Sequence, residues 1–294
     1  MMKKVAFIFL AVLLAAPAVA EEVNQTRDAD PNGKVSVSNT SGEIEIVGWN
    51  RNQVQVTGTL GDDVEELIFE TSGRQTTIKV KIPSHRGHFD DASAELVIRV
   101  PRGSSIDVGV VSADIDVEGV RGEQELHSVS GDITTEVYGA DVEAESVSGD
   151  IEAEGKGEDA RAELASVSGD VTAKDLKGEI SAGTVSGDID IDGGSFGRAG
   201  LETVNGDIEF AAELRKSGKM NVETVNGTVD IQFDGAVDAR FDIETFNGRI
   251  KNCFGPKAER TSKYAPGWEL TFVEGSGEGR VVISTLNGSV TLCK

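Results

Sequence analysis

One short phrase recurs at least nine times along this chain, and it constrains the fold more than any other feature. It reads Ser128-Val-Ser-Gly-Asp-Ile133, Ser146-Val-Ser-Gly-Asp-Ile151, Ser166-Val-Ser-Gly-Asp-Val171 and Thr184-Val-Ser-Gly-Asp-Ile189. It continues as Thr203-Val-Asn-Gly-Asp-Ile208, Thr224-Val-Asn-Gly-Thr-Val229, Thr245-Phe-Asn-Gly-Arg-Ile250 and Thr285-Leu-Asn-Gly-Ser-Val290, after a degenerate first copy at Val110-Val-Ser-Ala-Asp-Ile115. The phrase glycines fall at 131, 149, 169, 187, 206, 227, 248 and 288. A period near 20 residues is too short for a propeller blade, and the L-x-x-L-x-L pattern of leucine-rich repeats is missing. The expected fold is all-β: a β-solenoid resembling a parallel β-helix, in which each repeat touches only its neighbours.

Columns through the repeats support stacking. Two residues after the glycine stand Ile115, Ile133, Ile151, Val171, Ile189, Ile208, Val229, Ile250 and Val290. Two residues before it stand Val111, Val129, Val147, Val167, Val185, Val204, Val225, Phe246 and Leu286. Period-two alternation predicts that both columns face the interior. A third apolar column, from Leu126 to Ile283, lies five before the glycine and has the opposite parity, so a corner or bulge is expected near the intervening Ser/Thr position. The residue just before the glycine is Ser in the early copies and Asn at 205, 226, 247 and 287. Such a column predicts a side-chain hydrogen-bond ladder.

The flanks divide the chain further. Residues 1–20 read as a secretory signal peptide: Met1-Met-Lys-Lys4 is basic, Val5 to Ala16 is apolar, and Ala18-Val-Ala20 suits cleavage. No lipobox cysteine follows, and no later stretch suits a membrane span. Residues 21–105 read as a β-rich cap containing an early phrase copy at Asn39-Thr-Ser-Gly-Glu-Ile44. Residues 106–294 read as the repeats, with an inserted hairpin near 256–284 built from Trp268 to Val273 and Arg280 to Ser284. Cys253 and Cys293 each lie five residues after a phrase glycine. If the repeats at 248 and 288 are neighbours, the cysteines sit within disulfide range and staple the last coil; an extra coil hidden in the 40-residue step would separate them.

Charge narrows the partners. The chain has 51 acidic and 28 basic residues, and loss of Lys3 and Lys4 with the leader makes the balance more acidic still. This disfavours nucleic acid and anionic lipid. Signatures of catalysis are sparse. His85 and His88 lie near Asp90 and Asp91 in a loop, but a zinc site wants a further ligand on a rigid support. His127 occupies a repeat position that elsewhere holds Glu and is expected to face solvent. No nucleophile elbow and no phosphate-binding glycine loop is present. A carbohydrate-active β-helix enzyme would need paired carboxylates with a basic residue and, usually, aromatic platforms; residues 106–195 contain one aromatic, Tyr138. The sharpest ligand candidate is the column just after the glycine: Asp114, Asp132, Asp150, Asp170, Asp188 and Asp207. Stacked carboxylates repel unless cations such as calcium lie between them. The competing reading is a hydrated outer column that opposes aggregation.

Taken together, these residues resemble the DUF4097 family of exported β-strand-repeat proteins, some labelled adhesins. The resemblance rests on Gly42-Glu-Ile-Glu-Ile-Val-Gly-Trp49, on Leu96-Val-Ile-Arg-Val-Pro-Arg-Gly103, and on the Val-Ser-Gly-Asp and Thr-Xaa-Asn-Gly phrases. It implies a β-solenoid-like fold at the cell envelope and supplies no catalytic residues; some members are linked to envelope stress. The resulting expectation is a periplasmic or secreted, non-catalytic binding or scaffold protein whose partner is an envelope protein or glycan. The alternatives are divalent-cation binding, an envelope-stress role, and a carbohydrate-active enzyme.

Overall fold

The computed structural model describes residues 21–83, 92–262 and 266–294. The expected leader and the His85/His88 loop with Asp90 and Asp91 lie outside these residues. The described chain is all-β: 23 strands joined in one hydrogen-bonded network. Each central repeat supplies two short strands, one on either side of the phrase. Val142–Ser146 pairs in parallel with Gln124–Ser128 on one side and with Asp159–Ser166 on the other. Ile151–Gly155 likewise lies between Ile133–Val137 and Val171–Lys174. Equivalent residues are in register, so the β-branched column Ile115, Ile133, Ile151, Val171, Ile189, Ile208, Val229, Val290, Ile250 runs without interruption.

That column is buried along its length, with Ile250 half-buried at its end. The column five before the glycine, Leu126 to Ile283, is buried too. The column two before the glycine is not, which corrects the expectation that it faces inward. Val129, Val147, Val167 and Val185 are 44–47% exposed, and Phe246 and Leu286 about half exposed. The burial sequence gives the reason. Ser128 is buried, Val129 and Ser130 both point outward, and Gly131 is buried again. Two successive outward residues make a corner, and the corner reverses the inside–outside parity of the strand that follows.

The two ends of the stack are built alike. At the first end, Lys34–Trp49 pairs in register with nearly the whole of Ser105–Glu118. Its other edge is covered by Gln75–Lys81 and Ala94–Pro101, which formed in the chain between those two strands. At the second end, Gly279–Asn287 inserts between Ile208–Asn226 and Ala239–Asn247. Trp268–Glu274 then runs antiparallel along the outer edge of Ala239–Asn247. The expected hairpin is therefore corrected: its two strands form, but they flank Ala239–Asn247 instead of pairing with each other. The crossing is held by Asp238, whose carboxylate accepts from Ser276 Oγ (2.6 Å) and Gly277 N–H (2.6 Å). The last repeat in the chain is thus the penultimate one in space.

This order makes the repeats at 248 and 288 neighbours. Cys253 and Cys293 are bonded, with Cα atoms 4.9 Å apart. The bond ties the terminal repeat to the inserted one, not to an open end. Beneath it the interior fills with rings. Phe196, Phe210, Phe233 and Phe241 pack successively at 5.8–6.0 Å, and Phe272 stacks on Phe241 at 4.4 Å. They give the later repeats a larger apolar filling than the earlier ones, whose column through Phe210 carries Ala153 and Ala173.

Candidate functional site

The corner brings four residue types together, and each has a traceable task. Ser146 and Ser166 are buried. Ser166 Oγ accepts from Gly169 N–H (3.0 Å) and donates to the Gly149 carbonyl one repeat away (3.0 Å). The glycine follows from close approach: a Cβ on Gly169 would lie 2.1 Å from the Gly149 carbonyl oxygen. The sequence pattern placed a bend here but did not reveal this hydroxyl, because Ser and Thr read as generic turn residues.

The six candidate cation ligands have partners of another kind. Asp132 N–H donates to Asp114 Oδ1 (3.0 Å), Asp150 N–H to Asp132 (2.9 Å), Asp170 N–H to Asp150 (2.8 Å) and Asp188 N–H to Asp170 (2.8 Å). Asp207 N–H donates to Asp188 (2.7 Å), and Thr228 N–H to Asp207 (2.6 Å). Each carboxylate thus receives the backbone amide of the next corner, a charge-assisted contact. Among the described residues, no group of three or more His, Cys, Asp or Glu is arranged to hold a metal ion.

In the later repeats Asn replaces Ser and the corner changes form. Asn226 Nδ2 donates to Asn205 Oδ1 (2.9 Å), Asn287 to Asn226 (2.9 Å) and Asn247 to Asn287 (2.8 Å). The expected ladder is present in these four. It also records the spatial order 205, 226, 287, 247. Here Gly227 N–H bonds the Asn287 carbonyl instead of a hydroxyl, and the buried Thr224 and Thr285 Oγ1 atoms have no partner.

The outward valines turn the corners into a ridge. Val111, Val129, Val147, Val167, Val185, Val204, Val225, Leu286 and Phe246 follow one another at roughly one strand spacing, about 4.8 Å. Their backbones are locked from repeat to repeat: Ser148 N–H meets the Val129 carbonyl at 3.0 Å, and Ser168 N–H meets that of Val147 at 3.0 Å. At the later end, Phe246, Leu286 and Trp268 border an open groove of about 780 Å³ with Glu202, Glu223 and Glu244 along it.

His127 stands half exposed, with Nδ1 3.5 Å from Glu145 Oε2 on the next repeat. Among the described residues no helix is long and apolar enough to cross a membrane.

Comparison with known proteins places this arrangement. Among solved structures, a putative lipid binding protein from Parabacteroides distasonis ATCC 8503 is similar at 13% identity, covering 92% of this chain and 97% of that one, with a TM-score of 0.52. A putative adhesin from Bacteroides fragilis NCTC 9343 is similar at 12% identity over 92% and 97% of the two chains, with a TM-score of 0.45. No curated protein matches. The family model described as Toastrack DUF4097 matches residues 32–293, and the chain belongs to that family.

Proposed function

We propose that this protein is a non-catalytic, exported β-solenoid that binds at the cell envelope, with the apolar ridge as its contact strip. One observation carries the reading: nine large apolar side chains, one per repeat, stand outward at equivalent positions of successive repeats. Scattered exposed apolar residues need no explanation, but a contiguous strip with a polar border marks a contact surface. The basic-then-apolar start of the chain supports export, and the rigid stack suits multivalent contact along its length. We assign the six corner aspartates to holding backbone amides. A rise in melting temperature on adding millimolar calcium would reverse that assignment in favour of the cation reading.

The test is co-sedimentation of residues 21–294 with isolated cell envelopes. The variant V147T/V167T/V185T keeps the shape of each side chain and makes the strip polar. Retention of the parent protein and at least a tenfold loss in the variant are expected. Absence of parent retention would sink the envelope-binding reading, and equal retention would remove the ridge from it.

A further inference from the structure

A second column lies on the sheet face, eight residues before each phrase glycine. In stacking order it reads Arg161, Glu179, Arg198, Lys219, Arg280 and Arg240. The last four are cations placed side by side. At about 4.8 Å per strand they span roughly 14 Å. All four are exposed. None of their side chains has a hydrogen-bond, ion-pair or ring partner among the described residues. Like charges directly opposite one another destabilise a sheet, and this chain has 51 carboxylate side chains against 28 basic ones to relieve them with. Elsewhere it does so: Lys156 contacts Glu136 and Glu154, Lys174 contacts Glu152, and Arg215 contacts Asp159.

Beside the cations the surface is open. A trough of about 650 Å³ runs along Arg198, Lys219 and Arg280, with Ser181, Gly200, Asn221 and Val282 in its floor and Glu163 and Glu179 at the end away from Arg280. A Cβ on Gly200 would meet nothing within 4 Å, so neither crowding nor a left-handed backbone calls for glycine there. Its effect is to keep the floor low.

We propose that Arg198, Lys219, Arg280 and Arg240 bind an acidic polysaccharide, laid along the stack with its carboxylates over the cations and its rings on the small-residue floor. Four collinear cations exceed what one small anion can reach. An extended acidic peptide presents like-facing side chains about 6.7 Å apart, twice the residue rise, and so drifts out of step with a 4.8 Å column. The local row of four exposed cations sets the sign of the ligand, although the chain as a whole is acidic. This site is separate from the ridge, which lies six residues further along each repeat, about 20 Å of extended chain.

The experiment is affinity electrophoresis of residues 21–294 in gels containing polygalacturonate, neutral dextran or poly-glutamate. Retardation by polygalacturonate alone is expected, weakening as salt rises. The variant R198Q/K219Q/R280Q should bind at least tenfold more weakly, while R161Q, whose side chain already contacts Glu163, should bind as the parent does. The triple variant should also melt no lower than the parent without polymer, because like-charge repulsion is removed; polymer should raise the melting temperature of the parent and of R161Q but not of the triple variant. No retardation of the parent, equal retardation of the triple variant, retardation in dextran, or equal binding of poly-glutamate would each overturn the proposal.

Discussion

Two apolar columns flank the same glycine, and they end in opposite surroundings. Ile189 is 1% exposed and Val185, four residues earlier, is 44% exposed. Both are β-branched, both sit two residues from Gly187, and both belong to unbroken stacks. Hydrophobicity does not separate them; the corner does. Its two outward residues reverse the alternation, and its polar atoms make that reversal affordable. Buried hydroxyls and outer carboxylates take up the amides that a strand would otherwise pair. The exposed column is therefore a product of corner geometry, and the buried one supplies the cohesion of the stack.

The sharpest way to break this contrast is to truncate each column in turn. Ile189→Ala should cost about 2–5 kcal/mol, as for other large-to-small core changes. Val185→Ala should stay within about 0.5 kcal/mol, as for an ordinary surface position. Urea midpoints decide it, and equal losses would contradict the corner. Next, Cys253→Ala with Cys293→Ala should cost about 2–4 kcal/mol, since the bond closes a long loop. That loss should appear in denaturation of the non-reduced protein and vanish when parent and variant are compared under reductant. The two corner forms come third. Ser166→Ala removes partners from Gly169 N–H and the Gly149 carbonyl, and should cost about 1–3 kcal/mol. Thr224→Val should be close to neutral, because its Oγ1 has no partner to lose.

The smallest effect concerns the outer acidic face. Burial first, then the charges of Glu118, Glu45, Glu43 and Glu136, push the Asp116 carboxyl above its ordinary value. The folded state therefore holds this proton to higher pH than the unfolded chain does. The associated stability is present below the unfolded value and is lost as pH rises through the raised one. Asp116→Asn should raise the urea midpoint at pH 7 more than at pH 4. A larger gain at pH 4 would reverse the sign.

Much of this fold was legible in residue order. The glycine spacing implied the stack, the Ile column implied its interior, and the Asn positions implied a ladder that the structure contains from Asn205 to Asn247. The Val column was misread because a continuous strand and a strand broken by a two-residue corner give the same apolar pattern on paper. Gly279–Asn287 was misplaced for a different reason. Thr224-Val-Asn-Gly, Thr245-Phe-Asn-Gly and Thr285-Leu-Asn-Gly offer nearly equivalent edges, so local pattern does not say which repeat stacks on which. The basic column was hidden as well: Arg198, Lys219, Arg240 and Arg280 are scattered over 83 positions of an acidic sequence, and only register collects them.

By itself, then, the sequence determined the period and the sets of equivalent positions, because a β ladder aligns equivalent positions and every repeat carries the same buried signal. The tertiary structure decided which side of each corner faces water and the order in which the last repeats assemble. Both depend on long-range pairing: the amides freed at a corner are taken up by a neighbouring repeat, and the inserted strand lies between Ile208–Asn226 and Ala239–Asn247 with Trp268–Glu274 along the outer edge of the latter.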